Sequence, residues 1–332
     1  MIEINKNDKI VAMCVASAKG ERIDSGDVEN ANKVICDLAK NPTPNNRYQI
    51  AQLVGFAVNE MIKPQLTWID QVADVKRVGF GDKAQFKIRQ EGIRAYIQAK
   101  GSTTARSKVA NKTVSLETLD VSARPVVNIV ELQNGLTNMA DLINDGAYQM
   151  TLKINQYVQG VLDAATASWS TPYADAGSGI VKATLDPMIY FWMRMGGKAA
   201  LLGDIAMVSQ LGELTGFTAA TGVKQFAANL INEQNANGFI GTYLNSDVMQ
   251  LINPPIDGTD TPVFNTKKLY ILPTMADASM RPLKVVFEGD VFSNEATHID
   301  DLTYEVRLDQ YFNAAVAYGE RPYIGVYTDS ST

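Results

Sequence analysis

The chain has a single histidine, His298, and two carboxylates follow it closely, Asp300 and Asp301. An imidazole held by an acid can serve as a general base, but that chemistry needs a serine or cysteine nucleophile, and no nucleophile motif accompanies it. Residues Gly79-Phe80-Gly81-Asp82-Lys83-Ala84 have the glycine spacing of a dinucleotide-binding turn. That fingerprint must open a helix whose N-terminus receives a pyrophosphate. Here a strand-like segment follows and Asp82 would repel the anion, so a turn is expected. Phosphate-binding Gly-Lys-Ser/Thr loops, calcium loops and paired metal-ligand spacings are missing, and the acidic pairs are scattered. No catalytic residue, cofactor or metal is therefore nominated. Cys14 and Cys36 lie far apart with no histidine near them, which suits buried free thiols better than a zinc site or a disulfide framework. Asn111-Lys112-Thr113 matches a glycosylation sequon, which means nothing without a secretory signal.

Charge is the next signal. From Lys76 to Lys112, ten basic residues face only Asp82 and Glu91, giving +8. Because the whole chain carries -6, the remaining residues sum to -14. Such separation of sign suits a basic arm lying on an acidic neighbouring copy. A solvated basic face is the plainer alternative. A nucleic-acid-binding ribbon is opposed by the acidic remainder and a pI near 5.0.

The element carrying this charge reads as one oversized β-hairpin over residues 83–132. Ile93, Ala95, Ile97 and Ala99 alternate with Arg94, Tyr96, Gln98 and Lys100, the period of a half-buried strand. The small polar stretch Gly101 to Ser107 reverses the chain. A return arm runs from Lys108 through Val114, Leu116, Leu119, Val121 and Ala123, and the slipped alternation at Thr118 predicts a bulge. A two-stranded ribbon alone is marginal in water, so something outside the hairpin must cover it.

Residues 135–167 then read as one helix. Leu136, Ala140, Ile143, Ala147, Met150, Ile154, Val158, Val161 and Ala165 recur at spacings of three and four throughout, making one apolar stripe. Roughly thirty residues at 1.5 Å each span about 50 Å, longer than a small core requires. Such a helix is a strut.

The chain's 332 residues, 46% hydrophobic, can bury a core of about two subdomains. No stretch approaches eighteen uninterrupted apolar residues, and the first twenty residues lack a secretory layout, so a soluble protein made in a cytoplasm is expected, without a membrane. The first forty or so residues read as an arm ending in the linker Asn41 to Asn46, and residues 47–75 as a helix interrupted at Pro64. Trp169 to Gly179 is loop-like. Asp186 and Pro187 predict a helix start for Met188 to Met195, ended by Gly196-Gly197. Ala199 to Leu202 predicts a buried strand and Asp204 the cap of a helix through Ile205, Val208 and Leu211. Further helices are expected over Gly222 to Glu233 and from Asn245 to Asn253. Strands return at Leu269 to Leu272, Leu283 to Phe287, Leu302 to Asp309 and Pro322 to Tyr327, so a domain interrupted by an insertion is expected.

This α+β order of parts resembles the major capsid proteins of tailed bacteriophages, whose fold is named after phage Hong Kong 97. Leu302-Thr303-Tyr304-Glu305-Val306-Arg307-Leu308-Asp309, Ala314-Ala315-Val316 and Tyr323-Ile324-Gly325-Val326-Tyr327 look like that family's final peripheral strands, and Leu202-Gly203-Asp204-Ile205-Ala206 like its axial-domain core. The resemblance implies an N-terminal arm and helix (1–75), an extended hairpin loop with peripheral strands (76–132), a spine helix and connector (133–177), an axial domain (178–265) and a discontinuous peripheral domain closing at 266–332.

By the same resemblance the chain is a structural virion protein and not an enzyme, made in the host cytoplasm and built into hexamers and pentamers of an icosahedral shell. That shell encloses double-stranded DNA without reading its sequence. A separate scaffolding protein, a portal and decoration proteins are the implied partners besides itself. Lys87, Arg89, Arg94, Tyr96, Lys100, Arg106, Lys108 and Lys112 are the candidate inter-subunit contacts of the hairpin. The alternatives are an encapsulin-like nanocompartment shell, distinguished by an enzyme cargo, and a soluble α/β enzyme with a site near His298.

Overall fold

The computed structural model describes the chain apart from residues 1–8, 19–24, 42, 93–94, 98–99, 101–102, 104–105, 135–138, 195–197, 220–238, 252, 257–258, 275–276, 299–302, 320 and 332. Four helices come first: α1 (Lys9–Ala18), α2 (Ser25–Lys40), α3 (Pro44–Gln65) and α4 (Thr67–Val72). Residues read as an arm thus hold α1 and α2, whose Val11, Cys14, Ile35, Leu38 and Ala39 are buried in the main core. The linker expected at residues 41–46 is short. Thr43 caps α3 by accepting from the Asn46 amide, and Pro44 occupies the first turn, where its missing N–H costs nothing. Pro64 falls at the other end of α3, where the helix stops at Leu66.

The strands β1 (Asp74–Val78), β2 (Ala84–Glu91), β3 (Ala110–Leu116), β4 (Leu119–Ala123) and β5 (Val126–Asn128) follow, then α5 (Ile129–Asn134) and the long α6 (Met139–Thr166). The stripe of α6 is buried at Ile143, Ala147, Met150, Ile154 and Val158. At the far end Leu162 is buried while Val161 is only half-buried, a correction of one position. At 100° per residue Val161 still lies on the line of Ile154 and Val158, so the change comes from the surroundings: toward the far end the buried side turns to Gln159, Leu162 and Thr166. Leu136 lies outside the described residues. Burying the five larger side chains at about 1.5 to 3 kcal/mol each is worth on the order of 10 kcal/mol before entropy.

The remaining elements are β6 (Ala174–Gly177), α7 (Lys182–Arg194), β7 (Ala199–Gly203), α8 (Ile205–Gly212), β8 (Phe217–Ala219), β9 (Phe239–Tyr243), β10 (Ser246–Gln250), β11 (Lys268–Pro273), β12 (Leu283–His298), β13 (Thr303–Val316) and β14 (Gly325–Asp329). One sheet runs β1-β12-β13-β4, with β5 also on β13, and a second runs β6-β14-β11-β7-β10-β9-β8. Helices α3 and α6 pack on β12 and β13. They come close because Gly55 of α3 sits against Ser293, where a Cβ would approach its Oγ to 2.8 Å. Asp163 at the end of α6 ties this layer to the second sheet, pairing with Lys268 at 2.8 Å and accepting from the Tyr270 hydroxyl. The other face of the second sheet is covered by α7 and α8, with Leu185, Ile189, Trp192, Val208 and Leu211 buried.

Several local expectations change. The Trp169–Gly179 loop contains β6, recruited in parallel by β14. Helix α7 starts at Lys182, so Asp186 is no cap: it accepts instead from the Tyr243 hydroxyl at 2.6 Å, and Pro187 lies inside the helix. Asn245 begins no helix. With Leu244 it forms a two-residue turn of positive φ joining β9 to β10, a geometry that only strand pairing imposes on a leucine. Asp204 does cap α8, accepting from the Ala206 amide at 2.8 Å. The helix expected at Gly222 to Glu233 and the Gly196-Gly197 stop lie outside the described residues. No described helix is long and apolar enough to cross a membrane.

Candidate assembly surface

The basic ribbon is built on a buried foundation. Strand β2 alternates Ala84, Phe86 and Ile88 inward, all buried, with Gln85, Lys87 and Arg89 outward and exposed. Phe86 is fully covered and packs with Val286 of β12 and the partly buried Val78 and Leu116. Two ammonium groups flank its ring, Lys76 at 5.1 Å and Lys284 at 5.8 Å from the centroid. Lys284 is itself 1% exposed, pairs with Asp74 at 2.9 Å and donates to the Ser279 carbonyl at 2.7 Å. Burial pushes its pKa down, and the hydrogen bond and charge of Asp74 oppose that shift.

One carboxylate holds both ends of the ribbon. Glu288 accepts from the Gly81 amide at 2.7 Å before β2 and from the Thr118 hydroxyl after β3. These two bonds, the Thr118 one foremost, hold its carboxyl below the usual range. Beside it, Gly289 has φ +67 and lies under the Phe80 ring, where a Cβ would come within 2.3 Å of the ring edge. Residues 79–82 form the expected turn, with the Asp82 amide bonded to the Gly79 carbonyl at 3.1 Å. They lead into a strand, so the dinucleotide fingerprint is structural.

The hairpin is not one continuous ladder. Strand β2 pairs with β3 from Ala84↔Leu116 to Glu91↔Ala110, and the register slips between Arg89 and Glu91. The bulge expected at Thr118 is a departure point instead: beyond it β4 and β5 leave the ribbon and pair with β13, whose edge offers more hydrogen-bonding length than the ribbon does. The strand expected at Ile93 to Lys100 is also absent where described, since Ala95, Tyr96 and Ile97 have no strand partner. Alternation makes an edge available, but a ladder needs a second chain segment in register.

The nominated contacts fall into two groups. Lys87 and Arg89 project from the outer face of β2, and the Arg89 guanidinium folds back over Gly92. Lys112 stands opposite Ile88 in register and so belongs to the opposite face. Tyr96, Lys100, Arg106 and Lys108 are exposed in the distal part, together with Ile97, which is 106% exposed, and Val109. Arg94 lies outside the described residues. The expectation that an outside body must cover the hairpin is therefore half corrected: the chain's own Val286 and Val78 cover the proximal apolar face, while the described distal residues Tyr96, Ile97 and Val109 are exposed.

Sequence reasoning missed Lys284 and Glu288. A lysine between Leu283 and Val285 reads as the solvent side of a strand. Phe86 was signalled by its place between Ala84 and Ile88. As for the enzyme alternative, His298 ends β12 opposite Thr303 in register, and its side chain, Asp300 and Asp301 lie outside the described residues. Cys14 is a buried free thiol whose pKa burial pushes up to about 11, and Cys36 is half-buried.

Residues 2–328 match the profile of a family described as "SPbeta prophage-derived putative capsid protein YonB". The chain belongs to the YonB capsid-protein family. No curated protein matches the sequence. Several solved structures similar to this YonB-family chain come from phages. A chain of Mycobacterium phage Adephagia has TM-score 0.51 at 15% identity, over 81% of this chain and 90% of that one. The head structure of Helicobacter pylori bacteriophage KHP40 gives 0.51 at 10%, over 81% and 91%. The mature capsid of bacteriophage PhiM1 gives 0.50 at 11%, over 78% and 85%. At such identities the likeness establishes the fold, the Hong Kong 97-like capsid fold, as the order of parts in the sequence led one to expect.

Proposed function

We propose that this YonB-family chain is the major capsid protein of a tailed phage or prophage, a structural subunit without enzymatic activity. Copies assemble as hexamers and pentamers into an icosahedral virion shell around double-stranded DNA. The observation that carries this reading is the ribbon: anchored at its base by Phe86, Lys284 and Glu288, it ends in Tyr96, Ile97 and Val109, apolar residues exposed in the single chain. A neighbouring copy covering them explains both the apolar tip and the +8 charge. In this assignment residues 1–75 form the N-terminal segment, 76–132 the hairpin loop and peripheral strands, 133–177 the spine helix and connector, 178–265 the axial domain and 266–332 the peripheral return, with β11 and β14 lent to the axial sheet. Lys87, Arg89, Arg94, Tyr96, Lys100, Arg106, Lys108 and Lys112 contribute to the subunit seam. Exposed pairs contribute only about 0 to 1 kcal/mol each, so they set register more than strength, and durability comes from repetition over the shell. Scaffolding, portal and decoration proteins are the further partners, and assembly takes place in the host cytoplasm.

Deleting residues 94–108 tests the reading, because β2, β3 and the foundation are left intact. Electron microscopy should show closed particles from the full chain, and folded subunits without particles from the deletion. Closed particles of normal yield from the deletion would refute the role of the ribbon.

A further inference from the structure

A small cavity of about 40 Å³ lies beneath the bulge of β12, where α3, β1, β12 and β13 meet. The bulge follows from the register: Glu288 stands opposite Tyr311 and Phe292 opposite Asp309, so Gly289, Asp290 and Val291 face Gln310 alone. Asn59 of α3 forms part of the cavity wall and is 4% exposed, and its amide nitrogen has no hydrogen-bond partner among the described residues. A buried donor left so is costly. An aliphatic side chain at this position would carry no such cost, so the amide points to a ligand.

The rest of the wall says which kind. Gln310 spends its own amide on the Gly289 and Tyr311 carbonyls, at 3.4 and 3.2 Å. Lys63 and Arg77 stand at the mouth, 43% and 54% exposed, and each is steadied by a carboxylate outside the wall, Glu60 at 3.1 Å and Asp70 at 3.1 Å. The Asp290 carboxylate on the wall lies 3.9 Å from the Lys63 ammonium, and the Gly289 carbonyl is taken by Gln310. Donors are therefore in excess. A water accepting from Asn59 must still place two hydrogens of its own, whereas a halide only accepts. A single water needs about 10 to 15 Å³, so 40 Å³ admits one monatomic ion and little else. We propose that this cavity binds chloride, held by the Asn59 amide and by the Lys63 and Arg77 cations at its mouth. The ion ties α3 to the bulge one residue from Glu288, the carboxylate that fastens both ends of the ribbon.

Hydrogen exchange of the full-length protein tests this, comparing sodium chloride with sodium gluconate at one ionic strength. An ion bound only by the closed form slows local opening by one plus its concentration over its dissociation constant. Peptides covering 56–66 and 284–292 should therefore exchange about tenfold more slowly once chloride exceeds that constant tenfold, with β9 and β10 unchanged. In Asn59→Leu the two salts should give equal rates. Equal rates in the unaltered protein, or the same chloride effect in the variant, would overturn the site. Lys63→Gln, changed at the exposed mouth, serves if Asn59→Leu does not fold: it should raise the chloride concentration needed for half the effect, and an unaltered concentration would count against the proposal. Bromide-soaked crystals fix the position. Anomalous density between Asn59 and Arg77 is expected, and density confined to other places refutes the assignment.

Discussion

Lys284 shows how a charged side chain can serve packing. Its ammonium lies 2.9 Å from the Asp74 carboxylate across a parallel strand pair, beneath the ribbon. Taking two charges out of water costs several kcal/mol per ion, so the pair holds the ribbon's base only while both members are present. Lys284→Ala would strand the carboxylate of Asp74, itself 8% exposed, and should destabilise the subunit by about 3 to 5 kcal/mol in denaturant unfolding. Replacing both partners, Lys284→Met with Asp74→Leu, should recover most of that loss. A double variant as unstable as the single one would show that the pair itself, and not the orphaned charge, carries the energy. Nothing in the local sequence distinguished Lys284 from a solvent-facing strand lysine, because its burial depends on β2 arriving from two hundred residues away.

The ribbon is an element fastened at one place. Glu288 binds the turn before β2 and the residue after β3, so losing its charge loosens both ends together. Its folded pKa is depressed. The stability it lends is therefore fully present above the unfolded value of about 4.3 and is lost as pH falls through the lower folded value. Hydrogen exchange of β2 and β3 amides, corrected for intrinsic rates, should quicken on acidification through that window. Glu288→Gln should show the quicker exchange already at neutral pH and no further step; an unchanged step in the variant would assign the effect to another carboxyl. The long helix α6 was legible because its stripe repeats over many turns and each burial agrees with the next. Where it is described, at Ala95 to Ile97, the far half of the hairpin forms no strand, since alternation in Ile93 to Lys100 gives a surface that a partner could pair with, not one that is paired.

Assembly of the shell should respond to salt. On the proposed reading, the +8 of residues 76–112 against -14 elsewhere would steer copies together through exposed charges, and the screening length shrinks from about 10 Å at 0.1 M to about 3 Å at 1 M. Light scattering should therefore show slower assembly at the higher salt. Apolar burial at Tyr96 and Ile97 is not screened, so shells already closed should persist. Assembly accelerating with salt would mean that repulsion between like-charged copies dominates.

The amino-acid sequence alone determined the long apolar stripe of α6, the cap of α8 at Asp204, the turn at Gly79 to Asp82 and the concentration of positive charge in one segment. Each rests on residues close together in the chain, where periodicity, capping and glycine chemistry act. Tertiary structure decided where the hairpin ends, which strands β4 and β5 join, that β6 is a strand, and that Lys284 is buried. Those outcomes depend on which distant edge offers hydrogen bonds and on what covers a side chain, and neither is written in local spacing. The capsid fold was readable from the order of elements, while the anchoring of its ribbon required the long-range pairing of Asp74, Phe86, Thr118 and Glu288 around β12.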